Sequence, residues 1–284
     1  MRLILVPTAA RPECVVALDV ALRIAKSVDA NITACHVRTQ RYEGPSTMSQ
    51  LMPDDLYDPR EQSDTQRALT SKAAHELLAK AAKAHAFEFA RRPAPGKRSR
   101  ATWHEMVGTP ARVFSIIGPV CDMVVVSRPK AKSAGPAKAF LLAALLHSIK
   151  PVLIVPQKRL PSVGKTIVIA WNQSAEAALA VTAAIPLLQR AERVVVVTGG
   201  PEHRTGPKSS YLAQYLAHWD VGVERVRTKG ADVEKELERA YRSAGGDLLV
   251  MGAYSRHRFR QLIFGGMTEH MLFKTDIPVF MLHR

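Results

Sequence analysis

The chain of 284 residues is 47% hydrophobic and 23% charged; that is enough apolar material for two ordinary domains and excludes a disordered chain. Its net charge of +15 draws it toward phosphate-bearing partners, whether nucleotides, nucleic acid or an anionic membrane surface. No apolar run is long enough to cross a bilayer, and the opening MRLILVPTAARPE turns polar too soon for a secretory leader, so a cytoplasmic protein without membrane contact is expected. The three cysteines, Cys14, Cys35 and Cys121, are too few and too scattered for a disulfide framework. With no Cys-x-x-Cys pair and no metal-ligand spacing among the histidines, no structural metal is expected.

In chain order, the first half predicts strands over 2–7, 31–37, 101–106, 122–127 and 151–155, with helices over 12–28, 61–85, 110–118 and 137–148. Helix 61–85 carries an apolar stripe at Leu69, Ala73, Leu77 and Ala81, the spacing of a helix packed on one face. The second half predicts strands over 166–171, 193–198, 222–228, 247–251 and 278–283, with helices over 174–190, 207–218, 232–244 and 266–274. The runs Met123-Val-Val-Val126 and Val194-Val-Val-Val197 are apolar on consecutive residues, as in strands of a parallel sheet covered on both faces.

The two halves repeat one another. Lys150-Pro-Val-Leu-Ile-Val-Pro156 matches Ile277-Pro-Val-Phe-Met-Leu-His283, and Cys121-Asp-Met-Val-Val-Val-Ser127 matches Gly246-Asp-Leu-Leu-Val-Met-Gly252. The fold class expected is therefore α/β: two tandem, doubly wound, five-stranded parallel-sheet domains of Rossmann-like kind, over 1–157 and 165–284. The seam is Gln157 to Lys165, with Pro161 and Gly164. In such sheets ligands sit beyond the carboxyl ends of the strands, where the strand order reverses.

That edge in the second half carries GAYSRHRFRQLIFGGMTEHM, residues 252–271. Glycine after a strand permits positive φ and lets a ligand approach the backbone. Gly265-Gly266 at a helix start leaves amides free for an anion, and Thr268 adds a hydroxyl in the first turn. The same residues serve equally well as a tight turn, a helix break and a cap. Arg256, His257, Arg258 and Arg260 add positive charge suited to a polyphosphate. The basic residues of 91–100 and Lys130 with Lys132 read as solvated surface.

The segment resembles the nucleotide-binding signature of the universal stress protein family: Gly-x-x-Gly, nine residues, then Gly-Ser/Thr. Here it reads Gly252-Ala-Tyr-Ser255, nine residues, then Gly265-Gly266-Met-Thr268, with Ser255 in place of the second glycine and Gly266 in place of the hydroxyl residue. The resemblance extends over nearly the whole chain and implies two domains related to the adenine nucleotide alpha hydrolases. It further implies an adenine nucleotide, ATP foremost, in the second domain, with Mg2+ carried only by the nucleotide. By position, Gly252, Ser255, Gly265, Gly266 and Thr268 fall on the phosphate side. Asn172 stands where the family holds the ribose with an aspartate, and Val197, with Thr198 behind it, frames the adenine; core packing explains Val197 as readily. The resemblance also implies that the segments 151–155 and 278–283 pair, making a pseudo-dimer of the two halves, and it allows a further homodimer and a protein partner. The role implied is regulatory or stress-protective.

In the first half the matching places hold Ala9, Ser127-Arg-Pro-Lys130 and Phe140-Leu-Leu142. Pro129 removes a backbone donor and no glycine remains at the helix start, so this site is expected to be lost, with Gly135 left in a loop over 131–136. Gly164-Lys-Thr166 precedes a strand and lacks the earlier glycine of a P-loop. No Gly-x-Ser-x-Gly occurs. His257 and His270 read as surface residues, so no catalytic residue is expected and hydrolysis is slow at most. The competing reading is a protein-interaction module of the same fold that binds no nucleotide. Nucleic-acid binding ranks last, because Trp103, Trp171 and Trp219 are scattered and form no platform.

Overall fold

The computed structural model describes residues 1–38, 64–130, 134–203, 205–253 and 266–283. They form two compact units: residues 1–150 with 155–159, and residues 151–154 with 160–284.

Unit 1 opens with β1 (Leu3–Pro7), α1 (Pro12–Ser27) and β2 (Asn31–Arg38). There follow α2 (Asp64–Ala84), β3 (Glu88–Ala90), β4 (Arg100–Val107), α3 (Pro110–Ile117), β5 (Met123–Ser127) and α4 (Ala134–His147). Its strands lie in the order β3-β4-β2-β1-β5 and the pairs given for them are parallel. The sequence pattern misses β3, three residues with two exposed side chains, which carry no apolar run to read. It also misplaces the packed stripe of α2 by one residue. Ala74, Leu78 and Ala82 are buried, whereas Leu69 is 56% exposed, because alanines on adjacent faces make the helix nearly featureless to a periodicity argument. Gly135, expected in a loop, lies in the first turn of α4, where the following proline presets φ for a helix start.

Unit 2 contains β6 (Val152–Val155), β7 (Thr166–Trp171), α5 (Ala175–Leu188), β8 (Arg193–Gly199), α6 (Ser209–Ala217) and β9 (Glu224–Thr228). It ends with α7 (Val233–Ser243), β10 (Leu248–Gly252), α8 (Gly266–Glu269), a π turn (His270–Lys274) and β11 (Val279–Leu282). The strand order is β6-β11-β10-β7-β8-β9. All pairs are parallel except β6 with β11, which run antiparallel in the register Val279↔Ile154, Phe280↔Leu153 and Met281↔Val152. The helix expected over 266–274 is thus one α turn widened into a π turn. Helix ends follow local chemistry: the Ser174 hydroxyl accepts from the amide of Ala177 at 3.1 Å and Asp232 accepts from Lys235 at 3.2 Å, each satisfying an amide that has no partner inside the helix.

The sequence repeat has a structural counterpart. One Asp122 carboxylate oxygen accepts from the amides of Arg2 and Leu3, the latter at 2.9 Å, and fastens β1 beside β5. Asp247 does the same beside β7, accepting from Gly164 and Thr166 at 3.0 Å and Lys165 at 3.1 Å. Each is the aspartate of the repeated motif, and each supplies a charged acceptor to amides at the start of β1 or β7.

Candidate functional site

Strand order in unit 2 reverses between β7 and β10: the chain steps outward from β7 through β8 to β9, then returns to β10 and β11. A cavity of about 550 Å³ opens at the carboxyl ends of these strands. Such an opening is where the geometry of a doubly wound sheet leaves room for a ligand. Its floor is Ala170, Val197 and Met251; Leu237 and Val233 of α7 and Met267 of α8 close one flank. Polar groups converge on this apolar bed from Asn172, Thr198, Thr228 and Thr268.

The structure brings Asn172, Val197, Gly252 and Thr268 to this one cavity. Val197 and Thr268 are 4% and 2% exposed, whereas Asn172 stands exposed at the rim. Gly266 is not in the wall; an added Cβ there would meet the Glu234 carboxylate at 2.6 Å. Ser255, Gly265 and the basic residues Arg256, His257, Arg258 and Arg260 lie outside the described residues.

Gly252 has a different reason from the one the sequence suggests. Its φ is not positive, and a Cβ would stand 2.5 Å from the amide nitrogen of Ala177 and 2.6 Å from the carbonyl carbon of Glu176. It is glycine because the end of β10 abuts the first turn of α5. Positive φ occurs instead at Gly200, φ 78°, where the chain leaves β8 along the cavity wall. The doublet Gly199-Gly200 after an apolar strand is the sequence signal of this part of the wall.

Polar groups around the rim are mostly committed. The Asn172 side-chain oxygen accepts from the amide of Ser174 at 3.1 Å, a local turn of the kind asparagine favours. Glu202 accepts from both the amide and the hydroxyl of Ser209, replacing the side-chain cap that Lys208 cannot give α6. Trp171, 4% exposed, lines the cavity and donates its indole N–H to the carbonyl of Pro207 at 2.9 Å. Among the described lining residues the charged groups are Glu176 and Glu202, with no lysine or arginine.

Beside the cavity, α7 and the last helix are clamped together. His270 Nε2 lies 2.6 Å from a Glu238 oxygen, and its Nδ1 is 3.9 Å from Glu234. Burial works to raise the Glu238 carboxyl, but hydrogen bonds from His270 and Thr275 outweigh it and hold the group below its ordinary value. His270 is therefore a structural tie between helices, not the surface residue read from the sequence. Glu236 is held low chiefly by a hydrogen bond from Thr228, with help from the amide of Gly230.

Unit 1 handles the equivalent place differently. Counted from the first paired residues, Leu3↔Asn31 and Thr166↔Arg193, His36 is the counterpart of Thr198 and Ala9 of Asn172. The buried His36 ring bonds through Nδ1 with the carbonyl of Thr8 at 2.9 Å and stacks on Trp103 with 5.7 Å between centroids. A ring fills the position where unit 2 keeps a small hydroxyl.

Strand order and cavity together define a doubly wound α/β protein of Rossmann-like class. The family model described as the universal stress protein family matches residues 207–283, from the start of α6 through β11. The chain is similar to that family over these residues. In fold it is similar to a universal stress protein from Archaeoglobus fulgidus DSM 4304, with a TM-score of 0.72 at 14% identity, covering 99% of this chain and 96% of that one. It is also similar to a candidate universal stress protein from Pseudomonas aeruginosa UCBPP-PA14, with a TM-score of 0.55 at 13% identity, covering 99% and 93%. No curated protein matches the chain in sequence. Among the described residues no group of His, Cys, Asp or Glu could hold a metal ion, and no helix is long and apolar enough to cross a membrane.

Proposed function

We propose that unit 2 binds an adenine nucleotide, ATP foremost, in the cavity at the ends of β7, β8 and β10, and that occupancy regulates a stress-protective role. The observation that carries this reading is the convergence of Asn172, Val197, Gly252 and Thr268 on one cavity at the switch point. Its volume of about 550 Å³ lies within the range of small-molecule sites, roughly 300–1,000 Å³. The apolar strip of Val197, Met251 and Leu237 suits a base, and the threonine hydroxyls suit sugar and phosphate oxygens. Glu176 and Glu202 face the same space, so the phosphates would enter with a divalent cation that offsets carboxylate repulsion. Glu202 is committed to Ser209, and the reading is one of binding.

Isothermal titration of ATP with and without Mg2+ into the intact protein tests this. Binding heat should appear with Mg2+ and vanish in Asn172→Trp, whose bulk would close the rim from an exposed position without unfolding the unit. Absence of heat at millimolar Mg-ATP, or full binding by the Trp variant, would overturn the assignment.

A further inference from the structure

We propose that the solvent face of α6 and the adjoining edge strand β9 form a docking surface for single-stranded nucleic acid. Helix α6 buries Leu212 and Leu216, while Tyr211 and Tyr215, one turn apart, are 60% and 38% exposed. Trp219, 40% exposed, continues the row beyond the helix, edge-on to Tyr215 with 6.4 Å between ring centroids. Three large aromatic rings thus stand partly in water within nine residues, each offering an apolar face with a polar handle to a partner. Tryptophan positions alone gave no hint of it; the two tyrosines make the row.

Charge on the neighbouring strand supplies the second, independent observation. β9 ends the sheet of unit 2, and the chain moves outward from β8 through α6 to β9, then back through α7 to β10. With right-handed crossovers, α6 and α7 cover opposite faces. Thr228 faces α7 through its bond with Glu236, so Arg225 and Arg227, of the other parity, lie on the α6 face. Both are exposed. Neither has an acidic partner among the described residues, since the neighbouring carboxylate of Glu224 is taken by Arg193 at 2.8 and 2.6 Å.

Rings on α6, with two guanidinium groups on the face of β9 that α6 shares, supply the chemistry of a strand-tracking surface. Any base offers a flat face to tyrosine or tryptophan, and phosphate accepts from arginine. Four residues of helix advance the row by about 6 Å, which makes a track for successive bases in place of a pocket for one. The net charge of +15 attracts any polyanion, but a duplex hides its base faces and gains nothing from the rings.

The test is fluorescence anisotropy of a labelled oligo-thymidylate of about fifteen nucleotides on the full chain, in nucleotide-free buffer so that the cavity is not involved. A duplex of equal length and a polyglutamate competitor complete the set. Single strand should bind more tightly than duplex. Tyr211→Ser with Tyr215→Ser should weaken the single strand about tenfold or more and leave duplex binding unchanged. Arg225→Gln with Arg227→Gln should flatten the slope of log K against log salt by about 1.4, at ~0.7 per lost phosphate contact. Unchanged melting curves would show these surface variants folded. Equal affinity for duplex, or sensitivity confined to neutralising Arg91, Arg92, Lys97, Arg98 and Arg100, would reduce the effect to diffuse charge and overturn the proposal. Displacement by polyglutamate as effective as by unlabelled single strand would assign the surface to acidic protein and overturn it too.

Discussion

Adding one methyl group at Gly252 separates two explanations of that residue. If glycine stands there only to admit a phosphate, Gly252→Ala should lose ligand and keep its stability. If it stands there because β10 abuts α5, the variant should unfold more easily with no ligand present. A Cβ would lie 2.5 Å from the Ala177 nitrogen and 2.6 Å from the Glu176 carbonyl carbon. Both are backbone atoms, so no rotamer change relieves the clash and α5 or the strand end must move by about 1 Å. Overpacking of this kind costs roughly 1–3 kcal/mol. Unit 2 spans about 130 residues, which at ~2 cal/mol/K per residue gives an unfolding entropy near ~0.27 kcal/mol/K. A cost of ~2.5 kcal/mol then lowers the melting temperature by roughly 9 °C. Calorimetric scans of apo wild type and Gly252→Ala measure it, and Glu176→Ala in the Gly252→Ala background should give no rescue. A shift under about 2 °C would refute the packing argument.

Asp247→Ala should destabilise unit 2 by about 2–4 kcal/mol, since three amides lose a charged acceptor; in denaturant titration Asp122→Ala should do the same to unit 1. Glu238 is held low in the folded protein. Its stabilisation is therefore complete above the unfolded carboxylate value and drains away as pH falls below about 4; Glu238→Gln should flatten the acid limb of stability against pH. Cys35 and Cys121 are pushed up to about 12 and Cys14 to about 11, each mainly by burial. A thiol-disulfide reagent at pH 8 should leave native protein almost unlabelled and modify all three cysteines in denaturant. A fragment beginning at residue 160 lacks β6 and bares the edge of β11, where Val279, Phe280 and Met281 pack. It should aggregate in light scattering under conditions where the intact chain does not.

Consecutive apolar residues were the most legible feature of the sequence. Runs such as Val194–Val197 have one stable use in a chain that alternates with helices, and they marked strands whose side chains are nearly all inaccessible. Repeated motifs located the aspartates and the switch point, hence the cavity. What escaped was information that sequence order does not carry. The three residues of β3 are strand only because β4 offers them a ladder. Gly252 could not be told from a ligand-facing glycine, because the atoms it avoids belong to α5, some 75 residues earlier. The carboxylates of Glu176 and Glu202 in the wall come from a helix and a loop whose meeting is a tertiary fact. His270 looked like a helix-surface residue until α7 supplied Glu238.

The two units build the same strand end in different ways. Ser127 holds the place of Gly252, and Glu13 that of Glu176. Ser127 donates its hydroxyl to the Glu13 carbonyl, so in unit 1 the strand end meets the helix through a side chain and the helix has had to make room for it. In unit 2 the same junction is closed backbone to backbone. A glycine there draws α5 against β10, and the space lies in front of the sheet, bounded by small groups at Thr198, Gly199 and Gly200. Unit 1 offers no such small groups at the corresponding strand end: the imidazole of His36, tied to Thr8 and stacked on Trp103, occupies that position. Reopening unit 1 would require more than His36→Thr, because Trp103 would still border the vacated volume and Ser127 would still set the helix. If unit 2 binds nucleotide as proposed, the difference between the units lies in at least two coupled positions, and restoring either one alone should yield no nucleotide binding in unit 1.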